Sequence, residues 1–308
     1  MKWWNNLDEQ WQLVFNRKVG IGTEVTQAKL DQLFSETEIA ITGKNITHLK
    51  PITRFKNLEV FFCAGNLISD LSPLAKLTQL KKLVADRNQI KSLKPLKKLQ
   101  HLEYLSIAQN QISSLSHLAK NQKLTILVAQ DNQIKSLKGL ENNVELERVT
   151  LQNNKFTSIS PLQNCKKIKN LHLNNNTFTD ISILKDFINL EQLYLSKTKV
   201  ESITTLENLV NLQTLSILGS PTKSLQGIEK MSKLRDLYCQ ETMIQDLEPL
   251  RNLENLQKVV FNNTAVASLE PLDKMKNLNL FFSETKILEE EIEQFKTSHP
   301  NSTLLTEF

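Results

Sequence analysis

A period of 22 residues runs through most of the sequence and constrains its fold more than any other feature. Leucine or isoleucine returns at this spacing from Leu58 to Leu278, a second apolar column follows three residues later, and a third follows two residues after that. One such unit is too short to bury its own apolar side, so neighbouring units must stack on one another. The period therefore predicts a solenoid of stacked coils.

The spacing of the columns also predicts the local structure. Alternation between the second and third columns has the period of a β-strand, so about five residues of each unit should be extended. Eleven such strands would form one parallel sheet, with neighbouring strands about 4.8 Å apart. Prolines at one phase of the repeat predict a tight turn or short 3₁₀ segment on the back of the coil. They are Pro51, Pro73, Pro95, Pro161, Pro249 and Pro271.

A column of asparagines follows the strands. A side-chain amide carries both a donor and an acceptor, which suits an inward turn whose backbone groups no sheet reaches. We interpret this column as a structural Asn ladder, formed by Asn66, Asn88, Asn110, Asn132, Asn154 and Asn176. From Thr198 onward the same phase holds threonine or serine, which offers one donor instead of two. We expect the C-terminal block to be looser.

The pattern Leu102-x-x-Leu105-x-Ile107-x-x-Asn110-x-Ile112 resembles the 22-residue class of leucine-rich repeat, shared by bacterial internalins and the phosphatase-1 regulatory subunit. The resemblance covers about residues 36 to 299. It implies an α/β solenoid, a leucine-rich repeat horseshoe with a parallel concave sheet and a convex side of 3₁₀ helices and turns. It also implies that the concave sheet binds macromolecules and that the protein performs no chemistry itself. From the residues we do not expect the export signal or the wall-attachment region of internalins.

Atypical segments are expected to cover the two ends of the stack. Residues 1–35 are predicted to be a helical N-terminal cap, 36–287 the repeats, and 288–308 a C-terminal cap of one helix and a short strand. Trp4, Trp11 and Phe15 share one helical face, and Thr26 is placed to cap a second helix. We expect the Trp3–Trp4 pair to plug the core rather than to bind a partner.

No pattern in the sequence indicates catalysis or metal binding. The three cysteines, Cys63, Cys165 and Cys239, fall in apolar columns, and the five histidines are spread over four phases of the repeat. None has a partner at the spacing of zinc ligands or of a Cys/His nucleophile. We expect a protein that is not an enzyme and that uses no cofactor and no metal.

The outward strand positions predict the binding surface. We expect a partner protein to contact Val60, Phe62, Val84, Tyr104, Ile126, Val128, Arg148, His172, Tyr194, Tyr238 and Phe282. The first six would form a contiguous apolar patch, larger than scattered surface hydrophobes would give. The alternative interpretation is that β-branched and aromatic residues simply suit a pleated surface.

Charge is uneven along the chain. Residues 78–170 hold 16 basic and 6 acidic side chains, whereas 171–308 hold 13 and 19. An alternative function is therefore binding of a polyanion, either nucleic acid or an acidic surface, through the lysine-rich segment 78–170. We do not expect nucleic acid, because aromatic residues that would stack on bases do not accompany the lysines.

Composition and termini predict the cellular setting. With 40% hydrophobic and 23% charged residues, the 308-residue chain has the composition of a globular protein. No stretch reaches the roughly 18 to 20 apolar residues of a membrane span, and the start of the chain turns acidic where a signal peptide would be apolar. We expect a cytoplasmic monomer.

Overall fold

The computed structural model of the protein describes residues 2–21 and 24–306. Two compact units make up the chain, Met1–Leu146 (unit 1) and Glu147–Phe308 (unit 2). Within each unit the coils stack in sequence order, and each strand pairs in parallel with the next. The solenoid fold predicted from the 22-residue period is confirmed.

Unit 1 begins with the helices α1 (Lys2–Asn5), α2 (Glu9–Val19) and α3 (Gln27–Phe34). Its sheet consists of β1 (Glu38–Ala40), β2 (Val60–Phe62), β3 (Lys82–Val84), β4 (Tyr104–Ser106) and β5 (Ile126–Val128). On the back of the coils lie 3₁₀ helices at Lys50–Arg54, Ser72–Lys76, Lys94–Lys98 and Ser116–Leu118. The first strand belongs to a degenerate repeat that precedes the regular ones.

Unit 2 contains the strands β6 (Arg148–Thr150), β7 (Asn170–His172), β8 (Gln192–Tyr194), β9 (Thr214–Ser216), β10 (Asp236–Tyr238), β11 (Lys258–Val260), β12 (Asn279–Phe281) and β13 (Thr303–Leu305). Its 3₁₀ helices are Ser160–Leu162, Ser182–Asp186, Thr204–Leu206, Glu248–Leu250 and Glu270–Leu272. One α-helix, α4 (Glu289–Ser298), lies between β12 and β13 in the described part of this unit.

The N-terminal helices of unit 1 carry side-chain caps and an aromatic cluster. Asp8 accepts a hydrogen bond of 3.0 Å from the backbone N–H of Trp11, and Thr26 caps α3 in the same way. Trp11 and Phe15 are fully buried. The ring of Trp3 packs on Phe15 with a centroid distance of 5.5 Å. These helices therefore bury their apolar side chains in unit 1.

The inward columns of the repeat form the core of each unit. In unit 1, Leu83, Leu105 and Leu127 are fully buried, as are their counterparts in unit 2. A proline stands in the first turn of most of the 3₁₀ helices, where its missing N–H leaves no bond unmade. The 3₁₀ segments predicted from the proline phase are confirmed.

Candidate functional site

The outward side chains of β2–β5 share one surface of unit 1. In each strand the middle residue is buried and the first is half-buried. The register aligns Phe62 with Val84 and Tyr104 with Ile126 on neighbouring strands. We call this surface the unit 1 face and define it by Val60, Phe62, Lys82, Val84, Tyr104, Ser106, Ile126 and Val128. It brings together the six predicted contact residues of the apolar patch.

Lys82 lies in the middle of the unit 1 face and was not among the predicted contact residues. Its ammonium group lies 5.1 Å from the ring centroid of Phe62 and 4.7 Å from that of Tyr104, within the range of cation–π attraction. The side chain is half-buried. The face is therefore an apolar and aromatic surface with one positive charge at its centre. The charge of residue 82 was visible in the sequence, but its contact with two rings depends on rotamers.

Asp86 borders the unit 1 face and orders its edge. Its carboxylate accepts hydrogen bonds of 2.6 Å from the Ser106 hydroxyl and 2.7 Å from the backbone N–H of Ala108. Ser106 is buried as a result. The carboxylate of Asp86 is therefore bound to groups of the next coil. Charge-assisted hydrogen bonds of this kind fix its position.

Unit 2 presents the other predicted contact residues that face outward. Arg148, His172, Tyr194 and Tyr238 occupy outward positions of β6, β7, β8 and β10. The rings of His172 and Tyr194 lie 4.3 Å apart. Burial, and to a smaller extent the charge of Arg148, lowers the pKa of His172 below its ordinary value. Burial also raises the pKa of Tyr194, with smaller contributions from Tyr238 and Asp236.

The prediction that Phe282 faces a partner is wrong. β12 pairs Val259 with Leu280 and Val260 with Phe281, so one residue is missing from the spacing of the last repeat. Leu280 and Phe282 are therefore buried, and Phe281 takes the outward position. Because side chains alternate along a strand, a slip of one residue exchanges the two faces.

Lys258 in unit 2 repeats the arrangement of Lys82. Its ammonium group lies 5.2 Å from the ring centroid of Tyr238 and 4.7 Å from that of Phe281. Asp236 stands directly opposite Lys258 on the neighbouring strand. Lys258 therefore has a carboxylate opposite it on a neighbouring strand, whereas Lys82 has Val60 and Tyr104.

Within unit 1 the Asn ladder connects each of its coils to the one before it. The Asn66 amide donates to the carbonyls of Ile41 and Cys63 and accepts from the N–H groups of Lys44 and Ile46, at 2.8 to 3.0 Å. Asn88, Asn110 and Asn132 repeat this pattern in unit 1. In unit 2, Asn154 donates within its own coil and Asn176 also reaches the preceding one.

Hydroxyl side chains take the ladder position in the later coils of unit 2. Thr198, Ser220, Thr242 and Thr264 are buried and donate to the carbonyl three residues earlier in their own coil, at 2.6 to 2.8 Å. The single hydroxyl donor is then used, so these residues supply no second donor for the preceding coil.

A second short ladder on the back of unit 1 was missed by sequence reasoning. Asn121 is fully buried and donates to the carbonyls of Leu96 and Leu99 at 3.1 and 2.7 Å. Asn143 donates 2.7 Å to the carbonyl of Asn121. The signal was present, since asparagine occurs twice at a phase that is apolar in neighbouring repeats. Both residues are structural.

The cysteines do not present reactive thiolates. Cys63, Cys165 and Cys239 are buried and none of them forms a disulfide. Burial raises the pKa of the Cys63 and Cys239 thiols far above the usual range, and the charge of Asp86 adds to the effect at Cys63. Within residues 2–21 and 24–306, no group of three or more His, Cys, Asp or Glu side chains is arranged to hold a metal ion.

Apart from Lys82, the lysines of the basic segment lie outside the strands. In unit 1, Lys94, Lys97 and Lys98 are exposed on a 3₁₀ helix at the back of the coil. In unit 2, Lys166 pairs with Asp186 at 3.0 Å and Lys169 with Glu147 at 3.1 Å. Part of the positive charge of the segment is therefore neutralised within the chain.

The sequence matches a family model described as leucine-rich repeats (2 copies) in five overlapping segments, residues 56–98, 80–120, 100–142, 122–164 and 144–186. No curated protein matches the chain. In the described residues no helix has the length and apolar character needed to span a bilayer.

Solved structures share the fold over most of the chain. An internalin (inlF) from Listeria monocytogenes superposes with a TM-score of 0.92 at 24% identity, over 97% of this chain and 89% of that one. The internalin C2 (inlC2) of the same organism gives 0.63 at 26% identity, over 68% and 93%. The plant peptide hormone receptor RGFR1, solved in complex with RGF2, gives 0.71 at 18% identity, over 84% and 49%. Residues 56–186 thus match leucine-rich repeats, and the chain has the fold of the internalin structures.

Proposed function

We propose that the protein is a non-enzymatic interaction scaffold that binds a partner protein on the unit 1 face. Leucine-rich repeat proteins generally serve as protein-interaction scaffolds. The observation that carries the proposal is the contiguous set of half-buried apolar and aromatic side chains on four neighbouring strands. Such a surface, rimmed by polar residues, is typical of protein-binding sites.

The backbone beneath the unit 1 face favours binding. The strands are held by parallel pairing and by the Asn ladder, so the outward side chains stand on a rigid base. Aromatic side chains on a rigid support make strong interface anchors, because little conformational entropy is lost on binding. Phe62 and Tyr104 supply these anchors. The plant receptor of the same fold, solved with RGF2, supports a binding role.

A capture experiment with paired variants tests the proposal. The full-length protein would be immobilised and its bound proteins from a native lysate quantified for wild type and for Phe62→Asp combined with Tyr104→Asp. The matched control is Leu67→Asp, which places the same charge on an apolar residue that is 46% exposed outside the strands. We expect specific partners to be lost only from the double variant. Retention of every partner by a correctly folded double variant would exclude the unit 1 face.

The second candidate function is binding of a polyanion through the lysine-rich segment. Exposed lysines on the back of unit 1 favour it, Lys94, Lys97 and Lys98 among them. Binding of heparin or duplex DNA would be measured at increasing salt. Counterion release makes polyanion affinity fall by orders of magnitude between about 50 and 200 mM salt, whereas apolar anchors respond weakly. A steep salt dependence that Lys97→Gln plus Lys98→Gln reduces would favour this function.

We also propose that the protein resides in the cytoplasm. Support comes from Cys63 and Cys239, which are buried and form no disulfide. Unpaired cysteines are common in reducing compartments, whereas exported proteins usually form disulfides. Cell fractionation with an antibody against the chain tests this location. Recovery of the protein in the extracellular or cell-surface fraction would contradict it.

A further inference from the structure

Lys82 is placed differently from the lysine next to it. The exposed Lys81 pairs with Glu59 at 2.8 Å. Lys82 is half-buried instead, and its ammonium group rests against the rings of Phe62 and Tyr104. The partner of this charge is therefore aromatic, and its remaining hydrogen-bond donors point to no carboxylate of the described chain within ion-pair distance.

The register explains this lack of an acid. The residues opposite Lys82 on the neighbouring strands are Val60 and Tyr104. In unit 2, the corresponding lysine, Lys258, has Asp236 opposite it on the neighbouring strand. Unit 2 thus places a carboxylate beside its ring-bound lysine, and unit 1 places none.

A partner that covers the unit 1 face must remove water from Lys82. Burying an ammonium group without an acceptor is strongly unfavourable, and contact with two rings offsets only part of that cost. A purely apolar partner would therefore bind poorly, because it would bury the ammonium group of Lys82 without an acceptor. A carboxylate in the partner removes the penalty, since charge-assisted hydrogen bonds are the strongest available to lysine.

We propose that the unit 1 face binds a protein segment in which one carboxylate is flanked by apolar side chains. The carboxylate binds the ammonium group of Lys82, and the apolar side chains pack on Phe62, Val84 and Tyr104. This specificity rests on the proposed function of the face. Lys82 selects the partner, and the surrounding hydrophobic residues supply most of the contact area.

A peptide selection with the full-length protein tests the proposal. A displayed library of short random peptides would be selected on wild type, Lys82→Met, Lys82→Glu and the control Lys81→Met. Peptides still bound by Phe62→Asp would be discarded as binders of other surfaces. Lys82→Met keeps most of the side-chain length without the charge, so it separates electrostatics from packing.

We expect wild type and Lys81→Met to select one Asp or Glu among apolar residues. Lys82→Met should lose that preference and bind the selected peptides about tenfold more weakly, the effect of one charge-assisted hydrogen bond. Lys82→Glu should select Lys or Arg at the same place. When the acidic residue of a peptide selected on the wild-type protein is replaced by Lys, that peptide should bind the Lys82→Glu variant better than the wild-type protein.

The outcomes separate this inference from the proposed function. Peptides that need Phe62 but show no acidic preference would overturn the role of Lys82 and leave the unit 1 face as the binding site. Failure to select any peptide that depends on Phe62 would overturn both. Binding of heparin that depends on Lys82 but not on Phe62 would also reject an apolar segment as the occupant.

Discussion

The side-chain amide of Asn110 donates a hydrogen bond of 3.0 Å to the backbone carbonyl of Ala85, one coil earlier in the chain. The same side chain accepts 2.9 Å from the N–H of Ile90, also in the preceding coil. Backbone groups at this inward turn are buried and have no strand partner, so the amide supplies what the sheet does not. Side-chain hydrogen bonds thus link successive coils in addition to the parallel sheet.

Replacing Asn110 with alanine should destabilise unit 1 strongly. The variant leaves the Ala85 carbonyl and the Ile90 N–H buried without their partner, and we expect a loss of about 3 kcal/mol in the free energy of unfolding. Urea denaturation followed by circular dichroism measures it. Gln111→Ala, an exposed neighbour, is the control and should change stability by less than about 0.5 kcal/mol. Equal effects of the two substitutions would contradict the role of the ladder.

Hydrogen exchange should be faster in the coils with a hydroxyl ladder. The N–H groups of Ala85 and Cys239 make the same strand bond, 2.8 Å to the next coil. They differ in the ladder beside them, which is an amide at Asn110 and a hydroxyl at Thr264. Because the hydroxyls lack the second donor, we expect the Cys239 amide to exchange about tenfold faster or more. Equal protection of the two sites would refute the looser C-terminal block.

The repeat period made most of the fold predictable, and the reasons are physical. Apolar columns such as that of Leu105 must be buried in any stack of the repeats. Their positions within the 22 residues therefore determine where the strands and turns lie. The register of β12 was not predictable, because Leu278, Leu280 and Phe282 are all apolar and the 22-residue phase favours the wrong pair. The surface chemistry at Lys82 also escaped prediction, since ring contacts depend on side-chain conformation and not on spacing.

Unit 2 should lose stability as pH falls through the titration of His172. Burial and Arg148 lower the folded-state pKa of this histidine below 6.5, so the unfolded state binds more protons in that range. The stability contribution is therefore complete above about pH 6.5 and declines as pH drops through the lowered pKa. Denaturation across pH 5 to 7 should show a shallower slope for His172→Gln.

Titration of His172 by NMR tests the cause of the shift. Arg148→Gln should raise the pKa of His172 only in part, because burial is the larger cause. Arg235→Gln, an exposed arginine that does not contribute to the shift, is the control. A complete return to the ordinary value in Arg148→Gln would show that charge rather than burial dominates.

The three thiols should resist modification in the folded protein. Cys63, Cys165 and Cys239 are fully buried, and burial raises the pKa of Cys63 and Cys239, so thiolate is scarce. We expect no reaction with Ellman's reagent before unfolding and complete reaction in guanidinium chloride. Leu67→Cys should add one fast-reacting thiol at a site that is 46% exposed. Rapid reaction of a native cysteine would contradict the packed core.

Substitutions at the end of the sheet test the shortened last repeat. Phe282 stacks on Phe261 in the core, with ring centroids 5.0 Å apart, whereas Phe281 lies on the outward side beside Lys258. Phe282→Ala should cost about 3 to 5 kcal/mol, because it removes a buried ring and leaves a cavity. Phe281→Ala should cost about 1 kcal/mol, as expected for a half-buried side chain. Urea unfolding measures both free energies. A larger loss for Phe281→Ala than for Phe282→Ala would show that the 22-residue register continues without interruption.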